Sequence, residues 1–274
     1  MTAPTLPAPH LVTDIMRAVA REVVLPRFRA LERHEVLEKS PGDLVTIADI
    51  EAEVQLAARL TALLPGSVAV GEEDYERNPG VLAALNAADP VWVIDPVDGT
   101  YNFAHGLACF AMIIGLCRGG ETLAGWIYDP VEDRVAWTVK GEGSWLDGER
   151  LQVVRPATRA DYRGSLGNRM RARLDEMREA GNSEVPGTLV RYRCVGQEYI
   201  DLAAGKLHFA RYAGRLKPWD HAAGVLMHAE AGGFSQLVES RAPYTPRDGI
   251  LQQPLFLAPD AATWDALHTV VSAG

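Results

Sequence analysis

Residues 92–100 of the chain read WVIDPVDGT, an apolar run that leads directly into Asp95 and Asp98. A continuous apolar run of this kind predicts a buried strand, whose carboxy-terminal end is a rigid support for side chains. Gly99 lets a ligand approach the backbone closely, and Thr100 can begin a helix whose free N–H groups face an anion. Because oxygen ligands select Mg²⁺ or Ca²⁺, the stretch predicts a hard cation held beside a phosphate.

The same letters are also typical of an ordinary turn, since Asp, Pro and Gly each favour turns. Two further acidic groups favour the functional interpretation. GEED at 71–74 follows the apolar residues 68–70, and Asp220 lies at the start of a helix predicted to run to Gly233. Each group alone has a plain structural explanation, because Asp220 is suited to cap its helix and the acidic residues at 73–74 to stay solvated. Together, three acidic groups at three element ends favour a metal site.

Composition restricts the class of protein. The chain has 274 residues, of which 47% are hydrophobic and 23% charged, so it can bury a large core as one domain or two coupled halves. Its net charge of −9 argues against nucleic-acid partners. The apolar run 110–117 is too short to span a membrane, and the start MTAPTLPAPH lacks the features of a signal peptide. Three cysteines without metal-type spacing indicate free thiols, and hence a cytoplasmic protein.

Apolar periodicity and turn residues predict an α/β fold with a largely antiparallel first sheet. We expect an N-terminal α+β half, residues 1–150, that carries most metal ligands, and a C-terminal α/β half, residues 151–274, that carries Asp220 and the substrate pocket. The first half is predicted to contain helices at 11–31, kinked at Pro26, and 48–64, and strands at 108–117, 122–128 and 134–139. The second half is predicted to contain strands at 162–166 and 189–194 and helices at 169–180, 198–204 and from 220 onward.

Two longer stretches resemble the signature sequences of the inositol monophosphatase superfamily of Mg²⁺-dependent, lithium-sensitive phosphatases. They are WVIDPVDGTYNFAH at 92–105 and WDHAAGVLMHAEAGG at 219–233. The stretches KSPGDLVTIAD at 39–49 and GEE at 71–73 agree as well, in order and in rough spacing. The resemblance implies the layered αβαβα sandwich of the inositol monophosphatase and fructose-1,6-bisphosphatase type, and commonly a homodimer.

The resemblance also implies roles for individual residues. Metal binding is implied for the carboxylates of Glu72, Asp95, Asp98 and Asp220 and for the carbonyl of Val97. A catalytic role is implied for Asp49, Thr100 and Glu72. Substrate binding is implied for Lys39, Gly99, Thr100, Gly196, Gln197 and Asp220. The implied cofactor is Mg²⁺, two to three ions, with Mn²⁺ as an alternative, and the implied reaction is hydrolysis of a small phosphate ester by metal-activated water.

The substrate pocket departs from the family pattern. Ala213 stands where inositol monophosphatases proper carry an acidic residue that contacts sugar hydroxyls, and GQEY at 196–199 replaces Gly-Thr-Ala-Ala. Inositol 1-phosphate, histidinol phosphate, fructose 1,6-bisphosphate and adenosine 3′,5′-bisphosphate all remain candidate substrates, and a non-catalytic regulatory or binding relative is the alternative. Basic residues flank the segments from which the family builds its pocket. We therefore expect a substrate that carries a second anionic group, or that lacks the inositol hydroxyl pattern, to be preferred to myo-inositol 1-phosphate. The basic residues are Arg191, Arg193, Arg211, Arg215 and Lys217.

Overall fold

The computed structural model describes residues 6–272. Its helices are α1 (Pro9–Val19), α2 (Ile47–Leu63), α3 (Glu72–Arg77), α4 (Thr100–Ala104), α5 (Asn168–Glu179), α6 (Val195–Ala203), α7 (Pro218–Glu230) and α8 (Ala261–Ser272). Its strands are β1 (Val36–Ser40), β2 (Asp43–Thr46), β3 (Val68–Gly71), β4 (Val91–Asp98), β5 (Ala111–Arg118), β6 (Glu121–Asp129), β7 (Arg134–Val139), β8 (Gly143–Leu146), β9 (Glu149–Arg150), β10 (Arg163–Leu166), β11 (Thr188–Val190), β12 (Phe209–Tyr212), β13 (Phe234–Leu237) and β14 (Leu255–Ala258). No helix among these is long and apolar enough to cross a bilayer.

The first sheet contains seven strands in the order β3-β4-β5-β6-β7-β8-β9. Only the β3–β4 pair is parallel, so the sheet is largely antiparallel, as the sequence predicts. Every residue of β4 is buried, which explains its unbroken apolar run. The register between β4 and β5 shifts between Asp95 and Asp98. An irregularity of this type redirects side chains, and here it lies at the two aspartates.

Helices and sheets alternate in five layers. α1 and α2 cover one face of the seven-stranded sheet around Trp92, Ile94 and Trp126. α6 and α7 cover its other face and separate it from a second sheet of five strands, ordered β11-β10-β12-β14-β13. α5 and α8 cover the outer face of that second sheet, where Phe209, Phe256 and Trp264 are fully buried. The predicted αβαβα sandwich is therefore confirmed.

Two predicted elements differ from the structure. The helix predicted from 11 to 31 ends as an α-helix at Val19 and continues as a π-helical turn, 20–24, and a short 3₁₀ segment, 25–27. Pro26 explains this, because it lacks an N–H group and its ring clashes with the preceding turn. The strand predicted to reach residue 194 ends at Val190 instead. Arg193 has a left-handed backbone, with φ of 59°, which ends the extended segment just before α6.

Candidate active site

Three carboxylates from separate elements meet at the end of β4. Glu72 comes from the first turn of α3, Asp95 from β4 and Asp220 from the first turn of α7. Each offers an oxygen within 4.8 Å of the others. Burial, and after it the charges of Glu72 and Asp98, raise the pKa of Asp95 well above its ordinary value. Such crowded, buried carboxylates repel one another, so this oxygen-only set fits a hard divalent cation.

Two lysines lie against this cluster, both on Glu72. Lys217 Nζ is 2.7 Å from Glu72 Oε1, and Lys39 Nζ is 3.3 Å from the same atom and 2.7 Å from Glu73 Oε1. Burial alone would raise the pKa of Glu72, but the two lysines outweigh it, so this pKa lies below its ordinary value. Lys39 thus lies at the carboxylate cluster. The sequence analysis named Lys217 only among the basic residues that flank the pocket, although it directly precedes the Pro-Trp-Asp stretch.

Asp98, a further predicted ligand on β4, lies outside this group of three, although its charge contributes to the raised pKa of Asp95. Its Oδ2 accepts hydrogen bonds from the Gly196 backbone N–H at 2.6 Å and from Cys194 Sγ at 3.0 Å. A Cβ on Gly196 would lie 2.9 Å from the Ala111 Cβ and 3.2 Å from Asp98 Oδ2, so the contact requires glycine. Burial raises the pKa of Asp98. The next residue, Gln197, donates its amide to Asp129 Oδ2 at 2.7 Å, at the end of β6.

Asp49 and Thr100 form a hydroxyl–carboxylate pair between two helix starts. Thr100 Oγ1 lies 3.2 Å from Asp49 Oδ1 and 3.0 Å from the Val97 carbonyl oxygen, and its one proton can serve either acceptor. Thr46 donates to Asp49 Oδ2 from its backbone N–H, at 2.9 Å, and from its hydroxyl, at 2.5 Å. Burial raises the pKa of Asp49 to about 7, although the hydrogen bonds from Thr46 act to lower it.

Gly99 makes this arrangement possible. Its φ is +85°, and a Cβ there would lie 3.1 Å from the carbonyl oxygens of Arg193 and of Cys109. Both the left-handed backbone and the close approach therefore require glycine. The residue joins β4, with its carboxylates, to α4, with the Thr100 hydroxyl. The structure thus brings the Asp-Gly-Thr stretch, Asp49 and the carboxylate cluster into one region.

The sequence analysis missed Glu53, which positions α3. Its carboxylate, 3% exposed, accepts hydrogen bonds from the backbone N–H groups of Glu73 at 2.7 Å and Asp74 at 2.8 Å. These are N–H groups of the first helical turn, which have no partner inside a helix. Burial raises the pKa of Glu53 to about 7. The available signal was its position four residues after Asp49, on the same side of α2.

Glu53→Ala is expected to lower the free energy of unfolding by about 1–3 kcal/mol, because two buried N–H groups lose their acceptor. Glu51→Ala on the same helix is the matched control. Glu51 is 44% exposed and pairs with Arg27 at 2.7 Å, so its loss is expected to cost less than about 1 kcal/mol. Urea denaturation of both variants measures the difference. Equal losses would show that Glu53 has no special role in holding α3.

A cavity of about 240 Å³ adjoins the carboxylates. Asp220, of the carboxylate cluster, and Cys194, which donates to Asp98, both line it. Ala213 and four arginines form much of the remaining wall. Ala213 and the four arginines thus lie at one cavity, whereas Lys217, the fifth basic residue named in the sequence analysis, is not among its lining residues and contacts Glu72 instead.

Known proteins resemble this chain over most of its length. The sequence model of the inositol monophosphatase family matches residues 10–269. The inositol-1-monophosphatase of Mesorhizobium japonicum is 35% identical over 222 residues, 76% of this chain and 77% of the relative. The fructose-1,6-bisphosphatase/inositol-1-monophosphatase of Aquifex aeolicus is 28% identical over 83% of this chain and 84% of the relative.

Solved structures show the same fold. An inositol monophosphatase of Thermotoga maritima superposes with a TM-score of 0.78 at 22% identity, over 96% of this chain and 97% of the other. The suppressor protein SuhB of Bartonella henselae does so with a TM-score of 0.74 at 23% identity, over 96% of this chain and 99% of the other. With a family match that extends from residue 10 to residue 269, the chain belongs to the inositol monophosphatase family.

Proposed function

We propose that this protein is a Mg²⁺-dependent phosphomonoesterase that hydrolyses a small-molecule phosphate ester with water as the nucleophile. The observation that carries the proposal is the meeting of Glu72, Asp95 and Asp220 within 4.8 Å, next to the Asp49–Thr100 pair. Relatives named as inositol-1-monophosphatase and as fructose-1,6-bisphosphatase/inositol-1-monophosphatase support hydrolysis of phosphoric monoesters.

The metal ligands in this proposal are the carboxylates of Glu72, Asp95, Asp98 and Asp220 and the carbonyl of Val97. When bound, Mg²⁺ lowers the pKa of a coordinated water and neutralises charge on the phosphoryl group. Because all of the proposed ligand atoms are oxygens, they support binding of two to three Mg²⁺ ions, or of Mn²⁺. Lys39 and Lys217 both pair with Glu72. Within the described residues 6–272, no lysine nitrogen lies within 4.0 Å of a carboxylate oxygen of Asp95 or Asp220. These two carboxylates therefore gain most from a cation.

The chain's own residues orient the attacking water. Thr100 donates its hydroxyl proton to Asp49 Oδ1, which leaves the threonine oxygen free to accept a hydrogen bond from water. Asp49 accepts this hydrogen bond more strongly when it is ionised, and it ionises as the pH rises through its pKa of about 7. The backbone N–H groups of Gly99 and Thr100 hold the phosphate, with Lys39 nearby. Gly196 positions Asp98 through its backbone N–H. Gln197 remains a proposed substrate contact, and its side-chain amide must break its hydrogen bond to Asp129 before it can reach a substrate.

Thr100→Ala is expected to lower kcat by about 10²-fold, because water loses a positioned hydrogen-bond partner. The affinity for Mg²⁺ should stay within a factor of about three, since the threonine hydroxyl is not a proposed ligand. Thr100→Ser, which keeps the hydroxyl, is the matched control and should retain most activity. Steady-state kinetics over a Mg²⁺ titration measures both quantities. If the serine and alanine variants lose kcat equally, the hydroxyl has no part in the reaction.

A panel of phosphate esters, assayed for phosphate release with and without each of several divalent ions, tests the proposed function itself. Mg²⁺-dependent turnover of at least one ester is the expected result. No release from any ester would favour the non-catalytic binding or regulatory alternative. The intact carboxylates and the Asp49–Thr100 pair argue against that alternative, since a protein without turnover does not need them.

We further propose that the halves 1–150 and 151–274 act as one unit in a cytoplasmic homodimer. One unit is supported by the site itself, which takes Glu72 and Asp95 from the first half and Asp220 from the second. A reducing cytoplasm is supported by three free cysteines, at 109, 117 and 194. Sedimentation velocity tests the dimer, and a monomer at micromolar concentration would contradict it.

A further inference from the structure

Four arginines line the cavity next to Asp220. They belong to Arg191 and Arg193 before α6 and to Arg211 and Arg215 in and after β12. The cavity volume of about 240 Å³ lies just below the ~300–1,000 Å³ of drug-sized ligand sites, so it fits one small group. Because Asp220 belongs both to this wall and to the carboxylate cluster, a ligand on the carboxylates can reach into the cavity.

None of these four guanidinium groups forms an ion pair within 4.0 Å with a carboxylate among the described residues. Arg215 donates to the Tyr75 hydroxyl at 3.1 Å, and the Arg193 guanidinium lies 3.7 Å from the Tyr101 ring centroid. Arg211 has a buried Nε without a hydrogen-bond partner. Elsewhere arginines are paired, for example Arg241 with Asp265 at 2.7 Å.

Besides Asp220, the carboxylate residue Glu198 lines the cavity, and its side chain already accepts hydrogen bonds. Its Oε1 accepts hydrogen bonds from the Ser165 hydroxyl at 2.5 Å and from the Tyr192 backbone N–H at 3.1 Å. It is 5% exposed, and burial raises its pKa. Glu198 forms no ion pair within 4.0 Å with any of the four arginines in the described residues. Four like charges around one small cavity repel one another, and an anion between them removes this repulsion.

We propose that these four arginines bind a second anionic group, a phosphate or a carboxylate, of the substrate whose scissile phosphate lies at the Glu72–Asp95–Asp220 carboxylates. The inference rests on the proposed phosphatase function and adds the class of substrate. Guanidinium groups suit this task, because their fixed donors match phosphate and carboxylate oxygens in pairs. Ala213 in the same wall leaves room for that group and adds no opposing charge.

Matched pairs of esters test the proposal on the Mg²⁺-loaded protein. Glucose 1,6-bisphosphate against glucose 1-phosphate isolates a second phosphate, and 2-phosphoglycerate against glycerol 2-phosphate isolates a carboxylate. In at least one pair the doubly anionic member should have a kcat/KM about 10-fold higher or more. The pair with the larger ratio identifies the group. Ratios near one in both pairs would overturn the proposal.

Variants show whether the arginines cause the preference. Arg191→Gln and Arg211→Gln should each lower kcat/KM for the preferred doubly anionic ester by about 10- to 100-fold and change that of its partner by less than about 3-fold. Arg21→Gln removes the same charge from an exposed arginine outside the cavity and is the matched control. An equal effect of Arg21→Gln would assign the preference to net charge and overturn the proposal.

A charge placed in the wall gives a second test. Ala213→Glu should reverse the preference for the doubly anionic ester, because the new carboxylate pairs with the arginines and repels the second anion. Ala213→Gln has the same shape without the charge and should leave the ratio within about 3-fold of wild type. Myo-inositol 1-phosphate should be a poor substrate of the wild-type protein. The proposal would be contradicted if the wild-type protein preferred myo-inositol 1-phosphate to both doubly anionic esters. It would also be contradicted if Ala213→Glu and Ala213→Gln gave the same kcat/KM ratio within an ester pair.

Binding separates this proposal from the function on which it rests. 3-Phosphonopropionate and propylphosphonate differ only by a carboxylate and are not phosphate esters, so they report affinity without turnover. Titration calorimetry with Mg²⁺ should show about 10-fold tighter binding of the first, lost in Arg211→Gln. Absence of phosphate release from every ester would contradict the phosphatase function alone. Equal affinities together with kcat/KM ratios near one would contradict the second-anion site alone.

Discussion

Asp95→Asn is expected to lower kcat/KM by at least about 10³-fold, because the proposed cation would lose a carboxylate ligand and stabilise the reacting phosphoryl group less well. The same variant should melt at an equal or higher temperature than wild type in metal-free buffer. Burial and the charges of Glu72, Asp98 and Asp220 raise the pKa of Asp95, so its ionised form destabilises the fold without a metal. The Val97 backbone N–H donates a hydrogen bond to Asp95 Oδ1 at 3.1 Å, and the Oδ1 of asparagine can accept the same bond.

The stability difference should widen as the pH rises. A carboxyl whose pKa is raised in the folded state stabilises the fold only while it is protonated, below the unfolded pKa near 4. That contribution disappears as the pH rises toward the folded value, and the asparagine variant has none to lose. Thermal melts from pH 5 to pH 8 in chelator measure this trend.

Asp265→Asn is the matched control for Asp95→Asn. Its side chain is 67% exposed and pairs with Arg241 far from the carboxylate cluster in sequence, so neither activity nor melting temperature should change appreciably. A melting temperature of metal-free Asp95→Asn well below that of wild type would show that Asp95 holds the fold together. Retained turnover would remove Asp95 from the reaction.

The elements that position the carboxylates could be predicted because their signals are local. The apolar run before Asp95 predicts a buried strand even when the neighbouring strands are unknown. Asp95 directly follows this run in β4. Thr46 and Asp49 form a capping box at the start of α2, which explains why that helix begins within one residue of the predicted start. Site residues that are distant in sequence share no local pattern, so only the resemblance to the family grouped them.

Contacts between distant segments could not be predicted in this way. Glu53 resembles any polar residue of an amphipathic helix until α3 is placed on it, and only the fold brings the Glu73 and Asp74 N–H groups to its carboxylate. The pairing of Lys217 with Glu72 links residues 145 positions apart. The bend at Arg193 depends on a left-handed backbone that arginine adopts rarely, so the sequence favoured a longer strand there.

Removal of the divalent metal is expected to abolish turnover completely, since the proposed reaction uses no protein nucleophile and water alone attacks too slowly. Excess chelator tests this, and chelator already saturated with Mg²⁺ is the control for its other effects. Lithium should inhibit the Mg²⁺-loaded protein, as the family membership implies, while sodium at equal ionic strength should not. Full turnover in free chelator would contradict the proposed function.

Metal binding should also be visible without any substrate. A ligand that binds only the folded state stabilises it by about 2.7 kcal/mol at 100 times its dissociation constant, so Mg²⁺ should raise the melting temperature of the wild-type protein by several degrees. In Asp95→Asn most of this rise should disappear, because Glu72 is already neutralised by Lys39 and Lys217 and the remaining carboxylates hold a cation less well. An equal rise in both proteins would place the metal elsewhere, whatever the activity measurements show.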